Sequence, residues 1–255
     1  MNFLTAVHTD IGIRKKTNQD SALIMEAETD LGRVLLTVIC DGMGGLAKGE
    51  VASSAVINAF SYWFENELSA DLAADNIGER IYSSWEKIVF SCNDKIADYG
   101  RKNGVSMGTT LIALLIVQDD YYIINIGDSR VYCITDRLYQ LSKDQTFVQR
   151  EMDMGRMTPE QAKNSPQKSV LLQCIGASNF IDPEFLKGKC LPNQVFMLCS
   201  DGFRHIISEQ EIFDNLNPNV LTSEEVMLNK EIFLVELNKQ RMERDNITVA
   251  LVKTV

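Results

Sequence analysis

The chain has 255 residues, 45% of them apolar and 24% charged, with a formal net charge of −10. That length supports one globular domain over 1–255 with a sizeable core, and the acidic balance argues against nucleic acid as a partner, because phosphate backbones call for a Lys/Arg excess. The longest uninterrupted apolar run, Leu111 to Val117, falls far short of a membrane span, and MNFLTAVHTD lacks the basic and apolar regions of a secretory signal; a cytoplasmic protein without a membrane partner is expected.

Taken in chain order, Phe3 to Val7, Ser21 to Ala27 and Val34 to Cys40 read as strands: short, apolar and edged by Gly, Asp or Asn. Two helical patterns follow. The first puts Val56, Phe60, Trp63 and Phe64 on one face. The second steps by three or four residues through Ile77, Ile81, Trp85, Ile88, Cys92, Ile96 and Tyr99 and stops at Asn103-Gly104. Thr110 to Val117, Tyr121 to Ile126 and Val131 to Thr135 read as strands joined by tight turns. Beyond a mixed segment come a strand at Val195 to Cys199, a helix around Ser223 to Met242 and a last strand at Ile247 to Val252. Strands joined by tight turns predict antiparallel sheets, hence an α+β fold with helices on the outer faces. Cys40, Cys92, Cys133, Cys174, Cys190 and Cys199 form no C-x-x-C pair and read as reduced, structural thiols.

The positions of certain aspartates carry the chemistry. Asp41 follows VLLTVIC, Asp128 follows YYIINIG and Asp201 follows VFMLCS, whereas Asp20 precedes SALIMEA and Asp245 precedes Asn246 and ITVALV. In antiparallel sheets the end of one strand lies beside the start of its neighbour, so these carboxylates can gather on one edge. Taken singly, each reads as a turn former bonding its own backbone. Gathered, they would raise one another's pKa or need a cation, and hard oxygen-seeking ions, Mn²⁺ or Mg²⁺, are the natural compensators. Zinc is disfavoured: the only histidines are His8 and His205, and no Cys/His spacing fits it. Glycines beside Asp41, Asp128 and Asp201 permit close backbone approach to a ligand. DGMGGLAKGE is not a phosphate loop, because Ala47 and Gly49 flank Lys48 where that pattern needs Gly and Ser/Thr.

At these residues the chain resembles the type 2C, metal-dependent protein phosphatases in their compact bacterial form. The segments that carry the resemblance are TDIGIRKKTNQD (Thr9 to Asp20), DGMGG (Asp41 to Gly45), GTT (Gly108 to Thr110), GDSR (Gly127 to Arg130), LSKDQ (Leu141 to Gln145), CSDG (Cys199 to Gly202) and DNIT (Asp245 to Thr248). They stand in the family's order over nearly the whole chain. The resemblance implies an αββα sandwich, two central antiparallel sheets flanked by helices. It implies that Asp41 bridges two metal ions, that the Gly42 carbonyl binds one and that Asp201 and Asp245 bind the other. Asp20 would act through metal-bound water, and Asp128 with Asp201 would hold a third, weaker ion. Asp41 and Asp201 are then the residues on which turnover depends. The reaction implied is hydrolysis of phosphoserine or phosphothreonine on proteins by a metal-bridging water or hydroxide, without a phosphoenzyme. The partners implied are substrates of a bacterial Ser/Thr kinase, and a monomer is expected.

The family's phosphate-binding arginine stands five residues before the first aspartate. Here that position is Lys15, with Arg14 one step earlier and facing the other way in an extended segment; Lys15 is preferred on spacing, Arg14 is the runner-up, and solvated surface charge is the alternative for both. Met43 stands where relatives often carry His, which removes one general acid. Gln145 replaces another common His and has no assigned role. Residues 147–169 resemble the family's flap, with Asn164 placed where one relative type has a small polar residue near the third ion. His205 reads as a structural residue of the turn after Asp201. Two further functions are open: a phosphatase of the same fold dedicated to one regulator, and a catalytically silent binding module.

Overall fold

The computed structural model describes residues 1–44 and 48–255. In chain order its elements are β1 (Phe3–Asp10), β2 (Asp20–Thr29), β3 (Gly32–Gly44), α1 (Gly49–Asn66), α2 (Leu68–Leu72), α3 (Ile77–Asn103), β4 (Met107–Thr109), β5 (Leu111–Val117), β6 (Asp120–Ile126), β7 (Arg130–Ile134), β8 (Leu138–Gln140), α4 (Phe147–Asp153), α5 (Pro159–Lys163), β9 (Glu184–Lys189), β10 (Val195–Cys199), α6 (Asp201–Arg204), α7 (Glu209–Leu216), α8 (Glu224–Gln240) and β11 (Ile247–Thr254). One sheet has five strands in the order β1-β11-β10-β7-β8, the other six, with β2-β3-β5-β6-β9 in line and β4 paired to β3. The strand pairs within both sheets are antiparallel. The expected αββα sandwich is therefore the observed architecture.

Alternation along the strands builds the layers. Leu35, Ile39, Ile112, Leu114 and Ile116 of the longer sheet meet Val131, Phe196, Leu198, Ala250 and Val252 of the other, making the central core. The opposite residues of β3 and β5, such as Val34, Leu36, Ala113 and Leu115, face α1 and α3. Met197, Val249 and Leu251 face α6, α7 and α8 on the far side. The α1/α3 layer is anchored by Trp85, which is fully buried with its ring 5.7 Å from those of both Phe60 and Trp63. Asn76 caps the start of α3, and Gly104, at φ 64°, ends it in the left-handed conformation that Asn103-Gly104 foretold. The cysteines named above are all free and buried.

The strand expected from Thr110 starts one residue later, at Leu111, and a short β4 precedes it. β4 pairs with the far end of β3, β5 pairs with its earlier part, and Thr110 sits at the bend between them. β4, β8, β9, α2 and α4 to α7 have no counterpart in the sequence reading. Among the described residues no helix is long and apolar enough to cross a membrane.

Candidate metal centre

Sheet register brings the aspartates together. Asp20, the first residue of β2, lies directly opposite Asp41 of β3. Asp128 occupies the turn between β6 and β7, where Gly127 adopts φ 104°. Asp201 opens α6 at the end of β10, and Asp245 stands two residues before β11, the neighbour of β10. A Cβ on Gly202 would lie 2.1 Å from the Asn246 carbonyl oxygen, so only glycine lets these two segments approach this closely. Asp41, Asp128, Asp201 and Asp245 line one cavity of 440 Å³ together with Lys15, Gly42 and Met43. Asp20 is buried beside them.

Asp20 and Asp201 each have one oxygen held and one free. Asp20 Oδ2 accepts from Ser200 Oγ at 2.9 Å and from Thr248 Oγ1 at 2.6 Å. Asp20 Oδ1 is buried without a partner among the described residues, and so is Asp201 Oδ1. A buried acceptor left unpaired is costly unless something else satisfies it. Burial, with Asp20 and Asp201 nearby, pushes Asp41 well above the ordinary carboxylate range. Burial likewise lifts Asp20 to about 6 and Asp128 to about 7, with the Asp201 charge adding to both. Burial would raise Asp201 too, yet hydrogen bonding to His205 and the charges of His205 and Arg204 hold it below the usual value. These are the signs of a carboxylate cluster short of positive charge.

Among the described residues no three acid, imidazole or thiol groups already stand at coordination spacing. The fit to a metal therefore rests on the donor set and the orphaned oxygens. An all-oxygen set of carboxylates and a glycine carbonyl suits Mn²⁺ or Mg²⁺. Lys15 adds positive charge from the cavity side, its Nζ lying 2.6 Å from Asp245 Oδ1.

Of the phosphate-anchor candidates, Lys15 reaches the cavity. Arg14 is exposed and does not line it. Asn164 is not brought there: it ends α5, with Nδ2 donating to the Glu160 carbonyl at 3.0 Å. Ser169 and Leu171 line the cavity from that side of the chain instead. Gly45 of the DGMGG segment lies outside the described residues. Gln145 gains a structural account. Its Oε1 accepts from the Gly127 N–H at 2.8 Å and from Gln173 Nε2 at 2.8 Å, tying the Asp128 turn to the chain beyond the flap.

Several contributors were missed in the sequence. Thr110 Oγ1 accepts from the Asp41 N–H at 2.9 Å and bonds Ser129 Oγ at 2.8 Å, fixing the backbone that carries Asp41. Arg130 grips Asp144 with two bonds of 2.6 and 2.7 Å, and Arg204 lies between Asp144 and the Asp128 carbonyl. His205 is more than a turn residue: its Nε2 stands 3.2 Å from Asp201 Oδ2 and its Nδ1 3.4 Å from Glu243 Oε2. Burial opposes its protonation, but the bonds to Asp201 and Glu243 outweigh it and push the imidazole up to about 10. The i,i+4 spacing of Asp201 and His205 was the available signal.

Comparison with known proteins places this geometry. The family described as protein phosphatase 2C matches residues 13–235. The serine/threonine protein phosphatase PstP of Mycobacterium tuberculosis is 32% identical over 254 residues, covering 98% of this chain. This chain spans 45% of that relative's length. The protein phosphatase PhpP of Streptococcus pneumoniae is 32% identical over 247 residues, covering 96% of this chain and 94% of its own. The crystal structure of the catalytic domain of PstP, in complex with two manganese ions, superposes with a TM-score of 0.79 at 28% identity over 99% of this chain and 98% of that one.

Proposed function

The chain belongs to the protein phosphatase 2C family, and on that premise we propose that it hydrolyses phosphoserine and phosphothreonine on proteins with Mn²⁺ or Mg²⁺ as cofactor. The observation that carries this reading is the cavity where Asp41, Asp128, Asp201 and Asp245 converge while buried oxygens of Asp20 and Asp201 lack partners. Asp41 with the Gly42 carbonyl would hold one ion, Asp41 with Asp201 and Asp245 a second, and Asp128 with Asp201 a weaker third, Asp20 acting through water. Bound there, the ions would offset the carboxylate charge, lower the pKa of the attacking water and draw the phosphoryl oxygens into place, so that water attacks phosphorus directly without a phosphoenzyme.

The chain's own residues have separate tasks. Thr110 and Ser129 fix the Asp41 backbone, and Ser200 and Thr248 hold one oxygen of Asp20 so that the other faces the cluster. Lys15 would turn its ammonium from Asp245 to the substrate phosphate as a point charge, without the planar fork of an arginine. Met43 has no proton to give, so the departing Ser or Thr oxygen takes its proton from water. Cys40 and Cys199 are fully buried, and burial drives both thiols up, Cys199 to about 12, which leaves neither able to act as a nucleophile.

The chain would act as one catalytic unit, monomeric and cytoplasmic, on proteins phosphorylated by a Ser/Thr kinase, with 147–169 as its flap. Hydrolysis of a phosphothreonine peptide, measured with Mn²⁺ and then with excess EDTA, tests the reading. Turnover should appear with Mn²⁺ and vanish with EDTA; absence of any metal-dependent hydrolysis would overturn it.

A further inference from the structure

His205 and Glu243 do more than neutralise each other. Glu243 is buried and uses both carboxylate oxygens. Oε2 faces His205 Nδ1 at 3.4 Å. Oε1 accepts from the backbone N–H groups of Arg244 at 2.6 Å and Asp245 at 2.9 Å. At the other side of the ring, His205 Nε2 faces Asp201 Oδ2 at 3.2 Å. An ionised carboxylate only accepts, so an imidazole between two of them uses both nitrogens as donors. One continuous chain of contacts thus runs from the Asp201 carboxylate through His205 and Glu243 to the Asp245 backbone. It joins residues delivered by different elements, α6 and the approach to β11.

We infer that His205, backed by Glu243, is a positioning residue that braces Asp201 and Asp245 against each other as a pair of metal ligands. The inference rests on the proposed metal site and adds to it a part that touches neither substrate nor ion. With Oδ2 held by the ring, Asp201 keeps Oδ1, the oxygen without a partner, turned to the cluster. With its N–H held by Glu243, Asp245 enters β11 at a fixed angle. Outer partners of this kind orient ligands and are typically worth about 10–100-fold in metal affinity.

Mn²⁺ binding to the metal-free chain, followed by calorimetric titration with Mn²⁺ alone, tests the brace. His205→Ala should weaken binding by about 10–100-fold. His205→Gln and His205→Asn separate positioning from simple polarity. A Gln amide nitrogen reaches the place of Nε2 and can still donate to Asp201, whereas an Asn amide nitrogen reaches only the place of Nδ1. His205→Gln should therefore recover most of the lost affinity and His205→Asn should not, while both melt at similar temperatures in EDTA. Glu243→Gln, which keeps an acceptor for the Asp245 N–H but loses its charge, should fall between them. If the Gln and Asn variants bind Mn²⁺ equally, or both match the parent chain, the brace is wrong and the metal site stands. If the parent chain itself binds no Mn²⁺, the metal site is wrong and the brace falls with it.

Discussion

Acids shielded wholly or partly from water occur in two quite different regions. At the cavity edge, Asp20, Asp41, Asp128, Asp201 and Asp245 converge from both sheets, with hydroxyls, an imidazole and an ammonium around them. In the layer between α8 and the five-stranded sheet, Glu231 is fully buried, both its oxygens lack partners among the described residues, and burial alone pushes its carboxyl well above the usual range. Raised carboxyls are common to both places, so the shift itself marks neither as functional. Convergence is what favours the proposed cation seat: several acids open to one cavity, whereas a lone acid in an apolar layer only opposes folding when it ionises.

The largest expected effect lies at the first region. Asp41→Asn should lower phosphopeptide turnover by at least about 10²–10³-fold, the scale of removing a preorganised charge from a reaction centre, with the far-ultraviolet spectrum unchanged; near-normal activity would break the contrast at once. Next, Mn²⁺ should protect the folded chain from heat. At a hundredfold excess over its dissociation constant it would add about 2.7 kcal/mol of stability, and Asp201→Asn should abolish that shift, whereas Glu231→Met should leave it intact.

The second region should respond through stability alone. Because the folded pKa of Glu231 lies above its unfolded value, the protonated side chain is tolerated at low pH. Stability is then lost as pH rises from the unfolded pKa, about 4.3, toward the folded one. Glu231→Met removes that loss, so its advantage should be near zero at pH 4 and reach about 1–3 kcal/mol at pH 8, read from urea midpoints. An advantage independent of pH would show that folding does not raise the Glu231 carboxyl. The smallest effect concerns the phosphate anchor. Lys15→Ala should lower kcat/KM by about tenfold, in line with losing one charged hydrogen bond, while Arg14→Ala should change it by less than about twofold, because Arg14 is exposed and lies off the cavity.

Much of this was legible in the sequence, for physical reasons. β3, β5, β10 and β11 are nearly continuous apolar runs because both of their faces are covered, and the aspartates stand where those runs meet turns. β9 escaped notice because EFLKGK is an edge strand, polar and half exposed, with Gly188 packed on the Tyr121 ring. β4 was hidden inside the GTT motif, where Thr110 interrupts the ladder to bond Asp41. The His205–Glu243 contact could not be read locally: the residues are far apart in sequence, and Glu243 falls just past the helical pattern that ended at Met242. Asn164, a position carried over by likeness, has its side chain on the Glu160 carbonyl at the end of α5.

The pairing of Asp20 with Asp41 has one more consequence. Side chains alternate between faces along a strand, so sliding β2 past β3 by a single residue would send Asp20 to the wrong side of the sheet while leaving nearly as many backbone bonds. Such a misaligned molecule would look folded by circular dichroism. On the proposed function it would not hydrolyse phosphopeptides. Recovered turnover per mole, measured after refolding, therefore counts correctly threaded hairpins, and a shortfall against recovered ellipticity would measure the misthreaded fraction.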